Sequence, residues 1–289
     1  YEYPVADGAG NWTASFSTLD VVSGVYGWAI QYDEQGNHTC FYWHVPDPYM
    51  TVYPQSDSVY GYDWTPNTTV KLLINGVVIA TDTSNENGNV YFDVAPFNIA
   101  AGQVVKMKDG VYVRTHTVTG VKVKEVNPDA DTVQGKAAPG SMVSVTAREL
   151  NSYYGYTLST MTSADGVWLV DFTGIVNIGP GSSGSAYQYD DQGNSTQVSW
   201  DLPNPSFTVN IDSDWIYGWE WTPGDTVTIT IGAFSKTALV YDYGYFDVNL
   251  AGKYDLQSGQ TVVVSDGVTT KTVVIANLAI TEIDEINDR

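Results

Sequence analysis

The sequence predicts an all-β protein built from tandem antiparallel β-sandwiches. Three observations carry this. Apolar and polar residues alternate with a period of two in many short runs. Turn residues (Gly, Asn, Asp, Pro) interrupt those runs every 8–12 residues or so. No segment sustains the 3.6-residue apolar stripe with caps that a helix needs. A further anchor of the reading is an internal repeat. Gln31–Thr39 (QYDEQGNHT) recurs as Gln188–Thr196 (QYDDQGNST), an offset of 157 residues. The same offset pairs Pro46 with Pro203, Asp57 with Asp214, Trp64-Thr-Pro66 with Trp221-Thr-Pro223 and Asp109-Gly-Val111 with Asp266-Gly-Val268. Tyr91-Phe-Asp-Val94 matches Tyr245-Phe-Asp-Val248 at an offset of 154 residues, as if a loop had lost a few positions. The pattern predicts a tandem duplication.

In chain order, Ala6-Asp-Gly8 with Trp12 and Phe16 matches Ala164-Asp-Gly166 with Trp168 and Phe172. Lys71–Ile74, Asn75-Gly76 and Val77–Ala80 read as a hairpin, because Asn-Gly accepts the positive φ of a two-residue turn. Val104–Lys108, Asp109-Gly110 and Val111–Val118 read the same way, as does the copy at Thr261–Ile275. Val121–Val126 and Thr226–Ile231 alternate as half-buried strands. Asp47-Pro48, Asn127-Pro128 and Asn204-Pro205 are extended, helix-incompatible junctions. They divide the chain into a partial sandwich at 1–46, a sandwich at 47–127, another at 128–203 and a fourth at 204–289.

Val133–Val145 (VQGKAAPGSMVSV) followed by Thr162–Trp168 (TSADGVW) resembles bacterial Ig-like repeats, the sandwich modules of secreted and cell-surface proteins. The resemblance covers 128–203 best and 1–46 in part. It implies Ig-like sandwiches and a spacer, adhesive or structural role at the cell surface, and it is nearly silent on ligand. Tyr153-Tyr-Gly-Tyr156 and Gly179–Ser185 depart from the motif.

Composition narrows the function. The 289 residues carry 12 Lys+Arg against 33 Asp+Glu, a net charge of −21. No basic footprint exists to neutralise phosphates, which argues against nucleic acid and anionic membrane. At 43% hydrophobic the chain is too apolar for a disordered acidic tail. No apolar run approaches the roughly 18–20 residues needed to span a bilayer. Tyr1 opens on polar and aromatic residues with no signal peptide, as a processed or excised chain does. The single Cys40 excludes an internal disulfide framework. The expectation is an extracellular or surface-exposed protein.

Residues 1–46 match only the second part of module 128–203, while Leu278–Asp284 aligns with Val121–Asn127, the entry to that module. Two readings stay open. The chain is a stretch of a longer repeat array, or it polymerises head to tail. In the second, the Leu278–Asp284 strand pairs with the open edge of residues 1–46 in the next subunit, with contacts from Tyr1, Tyr3, Val5, Leu278, Ile280 and Ile283.

Among the nine Trp, the pairs Trp12/Trp168, Trp43/Trp200 and Trp64/Trp221 occupy equivalent positions and are expected in cores. Trp28, Trp215 and Trp219 stand where the other copy has Ser185, Ser58 and Tyr62. They are candidates for binding glycans or a neighbouring subunit, although Trp219 would share a face with Tyr217 and Trp221 on a regular strand. Asp33 with Asn37 and Asp190 with Asn194 gather oxygens in tight turns, a weak calcium pattern that Gln35 and Gln192 spoil, so plain turns are expected and no cofactor. Asn11, Asn37, Asn67 and Asn194 open N-x-Thr triplets, formal glycosylation acceptors. No catalytic constellation is present, and His38, His44 and His116 have no counterparts in the second copy. The reading is a non-enzymatic structural or adhesive repeat protein, a filament subunit in its sharper form, with a carbohydrate-binding array as the alternative.

Overall fold

The computed structural model describes residues 2–278. The chain is all-β, with one 3₁₀ turn at Asp242–Gly244 among the described residues. A hairpin comes first, β1 (Tyr26–Tyr32) and β2 (His38–His44), paired antiparallel. Three sandwiches follow, each with one core.

The first contains β3 (Tyr49–Tyr53), β4 (Ser58–Tyr62), β5 (Thr69–Ile74), β6 (Val77–Thr83), β7 (Val90–Asp93), β8 (Val104–Lys108) and β9 (Val113–Thr117). One sheet runs β3-β4-β7 and the other β6-β5-β8-β9. Met50, Val52, Val59, Trp64, Leu72 and Met107 fill the space between them. The second contains β10 (Lys122–Asn127), β11 (Thr132–Lys136), β12 (Met142–Arg148), β13 (Tyr156–Met161), β14 (Val167–Asp171), β15 (Ser183–Tyr189) and β16 (Ser195–Asp201). Its sheets are β10-β11-β14 and β13-β12-β15-β16, closed over Val133, Val145, Trp168, Phe172 and Trp200. The third contains β17 (Ser206–Asn210), β18 (Trp215–Trp219), β19 (Thr226–Ile231), β20 (Phe234–Leu239), β21 (Phe246–Asn249), β22 (Thr261–Ser265) and β23 (Thr270–Val274). Its sheets, β17-β18-β21 and β20-β19-β22-β23, enclose Ile216, Trp221, Ile229 and Phe246.

The first and third sandwiches share their turn chemistry. The Asp57 carboxylate accepts from the Ile99 N–H at 2.8 Å, and the Asp214 carboxylate accepts from the Leu256 N–H at 2.8 Å. Both aspartates have positive φ, near 50°. Core tryptophans rest on glycines of neighbouring strands: Trp168 on Gly135 and Trp200 on Gly184, where any Cβ would collide with the indole.

Several expectations need correction. Asn75-Gly76 makes the two-residue turn, with φ of 49° and 84°, but Asp109-Gly110 does not. Lys108 pairs with Val113, so the loop has four residues. The Asp109 carboxylate accepts from the Val111 and Tyr112 N–H groups and thereby stabilises the wider loop. Strand pairing also puts the second division before residue 121 rather than at 127. β10 pairs with β11, and Val121 packs in the second core. Asn127-Pro128 is the turn of that hairpin, with the Asn127 side chain accepting from the Asp129 and Ala130 N–H groups. Trp12 is half exposed and Trp43 only half buried, because the described residues before 47 supply one hairpin and no opposing sheet. Tyr3 and Val5 are exposed and lie in no strand, consistent with Pro4 between them, which has no N–H to donate to a ladder.

The first and second sandwiches are not beads in series. β16 pairs in parallel with β3, Ser195 opposite Thr51 and Thr196 opposite Val52. This merges two sheets into one of seven strands, ordered β13-β12-β15-β16-β3-β4-β7.

Candidate functional site

Two adjoining surfaces are built like sites: the seam where β16 meets β3, which brings together Asp190, Asn194 and His116 of the residues singled out above, and the outer face of the merged sheet.

The seam is built on the Asp190–Asn194 turn. The Asp190 carboxylate accepts from the Gln192 N–H at 2.9 Å, from the Asn194 N–H at 3.0 Å and from the Asn194 amide at 3.0 Å. Held so, Asn194 turns its Oδ1 toward β3 and accepts from the Met50 N–H at 3.1 Å, closing an edge group of the neighbouring module. Ser195 and Thr51 share a hydroxyl hydrogen bond of 3.1 Å. The Gln55 amide accepts from the Ser199 N–H and donates to the Ser199 carbonyl, imitating another residue of ladder.

His116, on β9, completes the seam. Its Nδ1 lies 2.9 Å from Asp190 Oδ2 and its Nε2 lies 2.9 Å from Thr196 Oγ1. The Thr119 N–H donates to the same Thr196 oxygen at 2.9 Å. One direction of donation satisfies every group: Thr119 N–H to Thr196, Thr196 O–H to Nε2, Nδ1–H to Asp190. Burial pushes the Asp190 carboxyl up, but hydrogen bonds from His116, Asn194 and Gln192 outweigh it and hold the group below the usual carboxylate range. A hydroxyl, an imidazole and a carboxylate in a row have the order of a nucleophilic triad. Thr196 is 0% exposed, however, and its oxygen already accepts a backbone N–H, so no substrate reaches it. The arrangement works as a joint.

The outer face is tyrosine-rich. Tyr49 stacks on Tyr62 with ring centroids 4.8 Å apart, Tyr60 lies 4.6 Å from Tyr62, and Tyr187 stacks on Tyr189 at 5.9 Å. Burial pushes the Tyr53 phenol well above its ordinary value, helped by Tyr62 and by Tyr187 across the seam. The third sandwich repeats the face with larger rings. Trp215 and Trp219 flank Tyr217 edge-on at 6.1 Å and 5.0 Å, all on the solvent side of β18. Trp219 is therefore not core. The strand ends there, and Glu220 at a φ of 60° turns the chain so that Trp221 enters the core instead. Trp28, on β1, is also exposed.

The Asp33 carboxylate accepts from the Gln35 and Asn37 N–H groups and the Asn37 amide, the posture of Asp190. No group of three or more His, Cys, Asp or Glu that could hold a metal occurs among the described residues. Asn11, Asn37 and Asn67 are exposed, but Asn194 is 0% exposed with its amide engaged, so it offers no glycan acceptor. Leu278 is exposed and in no strand. Tyr1, Ile280 and Ile283 lie outside the described residues. His116 is a functional residue of the seam that local sequence pattern does not mark; the one signal is that position 273, 157 residues on, holds Val.

No protein-family model matches the chain, and no curated protein does. Among solved structures it is similar to a tetra-tandem repeat from the extending region of a large adhesion protein, at 17% identity over 95% of this chain and 91% of that one, with a TM-score of 0.23. It is similar to a 1.5-MDa bacterial ice-binding adhesin at 16% identity over 88% and 96%, with a TM-score of 0.23. A biofilm-associated protein domain aligns at 11% identity over 91% and 68%, with a TM-score of 0.24. Scores of this size do not establish a common arrangement, and the fold class rests on the sheets themselves.

Proposed function

We propose that this chain is a non-enzymatic structural or adhesive repeat segment of an extracellular surface protein, and that its modules, within and between chains, are joined edge to edge by strand pairing. The observation that carries this reading is the seam. A sandwich in isolation blunts or covers its edge strands. Here β3 and β16 instead turn their edges toward each other and fasten them with buried side chains. Such a joint fixes two modules as one stiff unit, which suits a mechanical element better than a flexible string. The high negative charge keeps the exterior of such units from clumping.

Polymerisation by donation of Leu278–Asp284 takes a modified form in this reading. The equivalent strand, β10, adds to β11 in the sheet opposite β15 and β16. Among the described residues, 2–46 supply a hairpin at the position of β15 and β16 and nothing at the position of β11, so a donated strand would need a β11 partner from elsewhere. Electron microscopy of the full chain at rising concentration tests the assembly reading. Filaments or short oligomers support it, and single particles at every concentration refute it.

A second reading has its own observation: Trp215 and Trp219 present exposed rings on either side of the half-buried Tyr217 on one strand. Such a platform suits the apolar faces of sugars. Glycan-array binding that disappears in Trp215→Ala and Trp219→Ala would favour it, and an empty array would remove it.

A further inference from the structure

The β3–β16 seam has a second set of parts elsewhere in the chain, and among the described residues these do not pair with each other. Shifted by 157 residues, β16 falls on β2 and β3 falls on β17. The key side chains survive the shift. Asn37 and Thr39 stand for Asn194 and Thr196, Asp33 for Asp190, and Thr208 and Val209 for Thr51 and Val52. The hairpin register survives too, with Gln31 opposite Thr39 as Gln188 is opposite Thr196.

What differs is the cover. Met50, Thr51 and Val52 are buried, whereas Thr208 is exposed and Phe207 and Val209 are only half buried. Asn194, Ser195 and Thr196 are buried, whereas Asn37, His38 and Thr39 are exposed. Among the described residues β17 pairs only with β18, and β2 only with β1. Each edge has the chemistry of one half of a joint whose other half is present in the same chain.

We propose that the β1–β2 hairpin of one copy of this chain adds to the free edge of β17 in a second copy. The strands run parallel, with His38 opposite Thr208 and Thr39 opposite Val209. The Asn37 Oδ1 then caps the Phe207 N–H as Asn194 caps that of Met50. This inference rests on the edge-joining reading above and specifies its partner and register. The contact is heterologous, since the two surfaces are different patches of one molecule, so it propagates as an open series unless geometry closes a ring. The joined sheet would run β1-β2-β17-β18-β21 and carry Trp28, Trp215 and Trp219 on one outer face. Val273 replaces His116, so the joint between copies lacks the buried imidazole–carboxylate contact. It is a small, reversible contact of the weak class, for which covalent trapping is the suitable readout.

The experiment uses two full-length variants in a Cys40→Ser background, one carrying His38→Cys and the other Thr208→Cys. Both positions are exposed, so the folds are retained. The variants are mixed under a glutathione redox buffer, and the same sample is imaged by negative stain. The mixed disulfide should exceed the two self-disulfides by roughly tenfold over the random proportion, because a docked neighbour raises the local thiol concentration. Adding Asn37→Ala to the His38→Cys chain should return the products toward random. Oligomers with a random product distribution overturn this inference and leave edge-joined assembly standing. Single particles with a random distribution overturn both.

Discussion

Replacing Asn194 by Ala should loosen the joint between the first two sandwiches without touching either core. The residue is 0% exposed, and its side chain makes three hydrogen bonds: it accepts from the Met50 N–H and donates to both Asp190 oxygens. Truncation leaves the Met50 N–H buried and unpaired, worth about 1–3 kcal/mol. Losing donors to a carboxylate costs about 1.5–3 kcal/mol when nothing replaces them, but Asp190 keeps His116 and two backbone amides, so a net penalty of roughly 2–4 kcal/mol is expected. Asn37→Ala is the internal control. It sits in the matching turn 157 residues earlier, is exposed, and its side chain bonds to Asp33. In dilute solution it should cost roughly 0.5 kcal/mol or less, as surface substitutions do. Hydrogen exchange in the segments 49–53 and 195–199 is the assay, because a multi-module chain does not give one two-state transition. Protection should fall in both segments in Asn194→Ala and in neither in Asn37→Ala. Equal effects from the two substitutions would refute the reasoning.

Acid should open the same joint. The folded Asp190 carboxyl lies below its ordinary value of 3.8, so its stabilisation is complete above that value and is lost as pH falls through the lower folded value. Tryptophan fluorescence and exchange across an acid titration should show the seam loosening below about pH 4, and Asp190→Asn should flatten that dependence. Gly184→Ala places a Cβ 2.5 Å from the Trp200 ring and should destabilise the second sandwich by roughly 1–3 kcal/mol, whereas Gly179→Ala, with nothing within 4 Å, should stay within about 0.5 kcal/mol; thermal melts of the two variants decide this.

The parts of the fold legible in the sequence are those set by local chemistry. Asn75-Gly76 made its turn because two adjacent residues alone determine it. Thr226–Ile231 alternated and became β19 with the same limits. Asp109-Gly110 looked equivalent and was not, since the carboxylate also accepts from the Thr65 N–H on a distant loop, which no local pattern records. Trp12 carried the same signature as Trp168, but a tryptophan is buried only when an opposing sheet exists to cover it. The seam was the least legible feature. Asn194 reads as a turn residue from its neighbours, yet its Oδ1 acts on Met50, 144 residues away. Its trace in the sequence is a difference at positions 157 apart: His116 and Val273.

The most direct test compares backbone exchange at two equivalent triplets, Met50–Val52 and Phe207–Val209, in dilute and in concentrated solution. Edge joining predicts that the first triplet is protected at both concentrations and that the second gains protection only when the chain is concentrated. Fast exchange at Met50–Val52, or a second triplet indifferent to concentration up to the solubility limit, would contradict it.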